Sequence, residues 1–381
     1  MGETGRVIGE SDGIELFADN AAVLNNGEVI GSGDVGIQML GNNSVINNNG
    51  IVDGAISGVA LDGPSAVLGN TGLISGTHGV EVKDTSNKVI NTGSIVGVGD
   101  QNSFTGGAMD LSIGVYFSGS LDAIVQNSGL ISGQDYAIYS DGSNENFTII
   151  NSGEILGDIV GDNVVQTIES SGQITGDIFL EEGDDIYTGS GNGFTTGQVN
   201  GGDGLDVLIG ANMADNFVGG NDADDLRGNG GNDVLQGDAG DDTLVGGDGQ
   251  DSLFGGTEND ELRGSGGDDT ITGGQGSDLL VGNRGADTFV FGDASESTND
   301  SNRDEIRYWE AGDLIDLEAV VGGTLDFIGT AAFTGTANEV RVKEGSGGNS
   351  TIYVDTDGDG SGDMRILVSD FIGLSASDFL L

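Results

Sequence analysis

From Gly201 to Val290 the chain consists of ten nine-residue units laid end to end, and in every unit the sixth residue is aspartate and the eighth is large and apolar. The aspartates are Asp206, Asp215, Asp224, Asp233, Asp242, Asp251, Asp260, Asp269, Asp278 and Asp287. Two residues after each stands Leu208, Phe217, Leu226, Leu235, Leu244, Leu253, Leu262, Ile271, Leu280 or Phe289. A flexible Gly/Asp-rich linker has a similar composition, but a linker has no use for an apolar residue at every ninth position. Glycines at the first, second and fourth positions let the backbone take positive φ and turn tightly, so that carbonyl oxygens converge. A carboxylate at position six adds charge to those neutral oxygens, which is the hard, oxygen-only donor set that calcium prefers. Positions seven to nine read as a short strand with its middle residue inward, so one unit is half a coil and two units make a coil of eighteen residues. Turns on one edge then carry Asp206, Asp224, Asp242, Asp260 and Asp278, and those on the other carry Asp215, Asp233, Asp251, Asp269 and Asp287. Ions held between stacked turns of each column would number about eight.

The units Gly201-Gly202-Asp203-Gly204-Leu205-Asp206-Val207-Leu208-Ile209 and Gly273-Gly274-Gln275-Gly276-Ser277-Asp278-Leu279-Leu280-Val281 resemble the GGxGxDxUx nonapeptide of RTX (repeats-in-toxin) calcium-binding proteins, a parallel β-roll signature. Some units depart from it. Gly210-Ala211-Asn212-Met213 lacks two glycines, and Asp222 and Glu258 replace the fourth-position glycine. A left-handed conformation is open to Asp222 but would strain Met213. Gly183-Asp184-Asp185-Ile186-Tyr187 reads as an isolated eleventh copy with a weak or partial site.

Composition agrees with a metal-dependent fold. The formal charge is -52, from 63 acidic and 11 basic residues, and only 35% of residues are hydrophobic. Such a chain collapses poorly without counter-ions, so the repeat block is expected to fold as it binds Ca2+. The same charge argues against nucleic acid and anionic lipid as partners. With no cysteine, neither disulfides nor a thiolate zinc site holds the fold. The first thirty residues carry no recognisable cleavable signal peptide, and no apolar run is long enough for a membrane span. The RTX resemblance implies an extracellular protein exported by type I secretion machinery through an uncleaved C-terminal signal, and Ser377-Asp378-Phe379-Leu380-Leu381 is similar to the acidic-then-apolar ends of such proteins.

Upstream runs a second, longer period. An Asn- or Ser-headed motif ending in glycine recurs at Gly27, Gly50, Gly72, Gly93, Gly129, Gly153 and Gly172, at intervals of 23, 22, 21, 36, 24 and 19 residues. Short alternating stretches such as Leu73-Ile74-Ser75-Gly76 follow each one. This pattern predicts a parallel β-helix whose stacked coils bury a continuous apolar column, with asparagines at left-handed corners forming a ladder. A different all-β stack or sandwich is the alternative. The 36-residue interval implies an insertion over Asp100 to Ser112.

Many β-helices act on polysaccharides, and the basic residues available for such chemistry here are Arg6, His78, Lys83 and Lys88. His78, the only histidine, lies in Gly76-Thr77-His78-Gly79 and reads as an exposed corner residue or else a catalytic base. There is no HExxH motif, which excludes the metallopeptidase chemistry found upstream of similar repeats.

After Phe291 the repeats stop. Arg303-Asp304-Glu305-Ile306-Arg307-Tyr308-Trp309-Glu310-Ala311-Gly312-Asp313-Leu314-Ile315-Asp316-Leu317 resembles the segment after the RTX block in the serralysin C-terminal domain, which implies a cap and an export signal. Asp355-Thr356-Asp357-Gly358-Asp359-Gly360-Ser361-Gly362-Asp363 reads either as a polar hairpin turn or as a minor calcium site, because Ile366 stands where an EF-hand has its bidentate Glu. The expected molecule is all-β. Residues 1–182 form a β-helix of coils of about 22 residues, continuing into a calcium-binding RTX β-roll at 183–291 and a C-terminal cap and secretion domain at 292–381. Its expected role is calcium binding with a structural, adhesive or matrix-associated function toward an extracellular glycan or cell surface. A lyase or epimerase acting in a groove of the β-helix is the alternative.

Overall fold

The computed structural model describes residues 5–98, 111–119, 122–141, 146–298, 303–345 and 347–381. Most of the predicted insertion, Asp100 to Ser112, lies outside them. The chain is all-β, and among the described residues its one helical element is a 3-10 turn at Ala376–Asp378. It divides into two compact units, Met1–Gly202 and Asp203–Leu381.

The first unit is a parallel β-helix with three strands per coil. One column stacks Arg6–Gly9, Glu28–Gly31, Ile51–Gly54, Leu73–Gly76 and Ser94–Gly97 in parallel register. A second stacks Ile14–Leu16, Val35–Met39, Ser57–Leu61, His78–Val82 and Ile113–Phe117. The third stacks Ala22–Asn25, Val45–Asn48, Val67–Asn70, Lys88–Asn91, Ala123–Asn127 and Phe147–Asn151. Because alternate residues point inward, Val52, Ile74, Ile95 and Ile131 form one buried row and Ile46, Leu68, Val89 and Val125 another.

The asparagine ladder exists, with a geometry different from the one expected. Asn25, Asn48, Asn70, Asn91, Asn127 and Asn151 are buried, and each donates from Nδ2 to the next rung at 2.8–2.9 Å, Asn151 passing on to Ser170 Oγ at 3.2 Å. None of the six has positive φ. The left-handed corners are Asn20, Asn43, Ser65, Ser86 and Asp122, just ahead of the third column. The glycine of each motif is likewise not left-handed; a Cβ on Gly93 would sit 2.2 Å from the Gly72 carbonyl oxygen of the coil beneath. Glycine is needed there because two backbones pass too close for any side chain.

The second unit begins with a coil of two strands. Asp225–Gly230, Thr243–Asp248, Glu261–Gly266 and Leu279–Arg284 stack on one side, and Asn216–Asn221, Val234–Ala239, Ser252–Thr257 and Thr270–Gln275 on the other. Leu226 pairs with Leu244 and Leu235 with Leu253, the eighteen-residue repeat expected. The strands run six residues rather than three, continuing into the next unit's first positions. All ten eighth-position side chains are fully buried. Glu305–Arg307 and Leu314–Asp316 extend the two stacks, and Met364–Val368 and Phe379–Leu380 then pair onto them in parallel. Glu339–Glu344, Ser350–Asp355 and Met364–Val368 form an antiparallel meander.

Candidate metal centre

All ten sixth-position aspartates are buried, none more than 5% exposed. Their Oδ1 atoms form two ladders. Asp224 Oδ1 accepts from the Asp206 amide at 2.8 Å, Asp233 from Asp215, Asp242 from Asp224, Asp251 from Asp233, Asp260 from Asp242, and so on to Asp287. The second carboxylate oxygen stands outside these ladders. Oδ2 of Asp224, Asp233, Asp242, Asp251, Asp260, Asp269, Asp278 and Asp287 is buried without a hydrogen bond, whereas that of Asp215 accepts from the Ala211 amide at 3.0 Å. A buried anionic oxygen with no donor is costly, and a row of them is explained by a cation that takes their place in the count.

The glycines shape this row, each position in its own way. Second- and fourth-position residues do take positive φ, Gly220, Gly247, Gly249 and Gly276 among them, and Asp222 and Glu258 reach the left-handed region at 74° and 77°. Ala211 and Met213 do not, so the turn with the two missing glycines is built differently. First-position glycines are not left-handed at all, contrary to expectation. A Cβ on Gly228 would lie 2.0 Å from Asp233 Oδ2, and one on Gly246 2.3 Å from Asp251 Oδ2. They leave the space in which the bare oxygen sits. At the fourth position, a Cβ on Gly249 would stand 1.5 Å from the Gly231 carbonyl oxygen and one on Gly267 1.5 Å from that of Gly249, so main-chain oxygens face each gap between turns. Carboxylate oxygens beside the first-position glycines and carbonyl oxygens beside the fourth-position ones give the turns an oxygen-only donor set, which suits Ca2+, a cation that takes only oxygen ligands and tolerates irregular geometry.

Gly228→Ala therefore drives a methyl into the Asp233 carboxylate. It should destabilise the calcium-loaded unit by about 1–3 kcal/mol and lower calcium uptake, while Gly322→Ala, where nothing lies within 4 Å, leaves both unchanged. Equal melting points and equal uptake for the two variants would show that the space is not needed.

Both ladders run on beyond the ten units. Asp304 Oδ1 accepts from the Asp278 amide at 2.9 Å and Asp313 Oδ1 from the Asp287 amide at 3.1 Å. Asp304 is fully buried with Oδ2 unbonded, while Asp313 Oδ2 takes the Glu310 amide. The sequence reading ended the repeats at Phe291 and missed this pair. Their signal is the Asp-x-apolar spacing kept in Asp304-Glu305-Ile306 and Asp313-Leu314-Ile315 after a longer connection. Asp185, of the isolated copy, lies in the first unit, fully buried, accepting from the Gln166 amide.

Burial raises these carboxyls well above their ordinary value of 3.8, and neighbouring carboxylates add to it in several cases. Asp224 and Asp260 rise to about 8, Asp233 and Asp269 to about 7, and Asp242, Asp278 and Asp287 to about 6. Asp304 reaches about 8 by burial.

Two other sequence candidates are also placed. Asp355, Asp357 and Asp363 bring oxygens within 4.8 Å of one another. They sit in the hairpin turn between two paired strands, where Asp355 accepts from the Gly358 and Gly360 amides and Asp363 from Thr356. His78 is not an exposed corner residue: it begins the strand His78–Val82 and is 2% exposed.

The RTX calcium-binding nonapeptide repeat, a family model of four copies, matches residues 218–253 and again 254–289. This stretch is thus made of RTX calcium-binding repeats. No curated protein matches it. Among the described residues no helix is long and apolar enough to cross a membrane.

Proposed function

We propose that this is an extracellular, calcium-folded adhesive or matrix protein, in which Asp206, Asp215, Asp224, Asp233, Asp242, Asp251, Asp260, Asp269, Asp278 and Asp287 hold about eight Ca2+ ions. The row of buried, hydrogen-bond-free Oδ2 atoms carries this reading. We assign 1–182 to a β-helix that presents a surface, 183–291 to the roll, loaded with calcium over its ten units from Gly201 to Val290, and 292–381 to a cap with the type I export signal. The lyase or epimerase alternative gains little from the site. Lys83, one of few bases available, is held between Glu81 and Asp62 at 3.1 and 3.4 Å, so its charge is already paired with two carboxylates.

The test follows from proton competition. Carboxyls raised above 3.8 when folded favour the metal-free fold below about pH 4, and that contribution is lost as pH rises through about 6 to 8. Calcium does at neutral pH what protons do in acid. Calorimetric titration of the full chain should approach about eight ions at pH 7.5 and show about tenfold or weaker affinity at pH 5.5. In EGTA the β signal in circular dichroism should rise on acidification toward pH 4. A chain that took up no calcium, or whose metal-free spectrum ignored pH, would refute the assignment.

A further inference from the structure

The outer face of the second strand column in the first unit carries a group of side chains that the calcium reading does not use. Tyr116 and Tyr139 are paired in register on adjacent strands, beside Glu81 on the strand before. Their rings stack at 6.1 Å between centroids, Tyr136 continues the stack at 4.9 Å from Tyr139, and His78 backs it at 4.6 Å from Tyr116. All three tyrosines are half-buried, with ring surface still open to solvent.

A polar rim runs alongside. The buried Glu81 accepts from Ser57 at 3.0 Å and Ser118 at 3.4 Å and pairs with Lys83 at 3.1 Å, while Tyr116 donates to Asp141 at 3.0 Å. Both ring nitrogens of His78 are buried without a hydrogen-bond partner, as is Asp62 Oδ1 of the same rim. Burial holds its pKa below the ordinary 6.5, so it is uncharged at neutral pH.

What would such a face hold? Tyr116 and Tyr139 stand on successive rungs, about 4.8 Å apart, and Tyr136 lies along the same strand as Tyr139, so the aromatic surface is an open face rather than a hole and suits a chain-like ligand. The rim offers Glu81, Asp62 and Asp141 against the single ammonium of Lys83, and with His78 neutral its net charge is negative. That balance repels uronates, sulfated glycans and phosphates. It fits a ligand whose groups are hydroxyls, which donate to carboxylates, and whose flat apolar faces lie on aromatic rings.

We propose that this face binds an uncharged saccharide chain, its sugar rings lying along Tyr116, Tyr139 and Tyr136 and its hydroxyls meeting the Glu81, Lys83 and Asp141 rim. The site gives the adhesive function proposed above a surface and a ligand class, and it rests on that reading.

The experiment titrates the calcium-loaded full chain with cello-, xylo- and malto-hexaose and, for comparison, with a hexameric oligouronate, following heat and tyrosine fluorescence. At least one neutral hexaose is expected to bind and the uronate not to. Tyr139→Ala should weaken binding about tenfold or more, and Tyr139→Phe, which keeps the ring, by less than about threefold. Tyr136→Ala gives a second reading should Tyr139→Ala fail to fold, judged by circular dichroism. A wild-type chain that binds no saccharide overturns both the site and the adhesive reading. Wild-type binding untouched by Tyr139→Ala and Tyr136→Ala overturns the site alone, and preference for the uronate overturns the ligand class.

Discussion

In excess EGTA at pH 7.5, the strands of the second unit are expected to lose their ordered structure while those of the first unit keep theirs. The difference lies in what each unit buries. The second unit encloses carboxylates one above another, several with an oxygen that nothing in the protein bonds. At that pH most must either give up their charge, find a cation, or return to water, and unfolding is the way back to water. The first unit buries chiefly neutral amides that satisfy each other, rung upon rung, and its few buried carboxylates, Glu81, Asp162 and Asp185, are scattered and each accept a hydrogen bond from the protein. Hydrogen exchange read by mass spectrometry should show amides from Leu226 to Leu280 falling to unfolded-chain rates without calcium, while those of Ile46, Leu68, Val89 and Val125 stay protected. Loss of both units together, or of neither, would contradict this division.

The second large effect belongs to the amide ladder. Asn91 Nδ2 donates to Asn127 Oδ1 at 2.8 Å and the Leu130 carbonyl at 2.9 Å, and its Oδ1 accepts from Asn70 at 2.8 Å. Asn91→Ala removes these and opens a void in the buried row; Asn70 Nδ2 keeps only its bonds to the Gly72 and Ser94 carbonyls, and Asn127 Oδ1 only that from the Gly129 amide. At about 0.5–1.5 kcal/mol for each hydrogen bond lost, the loss should be about 2–4 kcal/mol, a fall of roughly 10 °C in melting temperature for a unit this size. Asn49→Ala is the control, since Asn49 bonds Asn26 on the exposed surface, and should move stability by less than about 0.5 kcal/mol. Similar melting points for the two variants would show that the ladder contributes no more than a surface contact.

The periodicities were the legible part of this chain. A nine-residue repeat with one inward residue dictates half a coil, and both aspartate columns stand where that arithmetic puts them. The near-22 period likewise gave the β-helix and its asparagine rungs. Less legible was the reason for each glycine, because one letter serves three needs: positive φ at Gly249, room for a carboxylate at Gly228, and close passage of two backbones at Gly93. Asp304 and Asp313 were hidden because a longer connection shifts them out of phase while keeping the same inward step. The aromatic face was invisible for another reason. Tyr116 and Tyr139 are far enough apart in sequence that only the stacking of coils makes them neighbours.

The carboxylate ladder also has an arrow. Each aspartate receives the amide of the one a full coil earlier, so a given turn is completed only by a turn that follows it in the chain. Assembly therefore has a natural seed at Asp304 and Asp313 and grows backward, like a zip drawn from its lower end. A polypeptide that emerged from a narrow conduit tail first would meet calcium with its seed already outside, and would order in the same sequence in which it arrived.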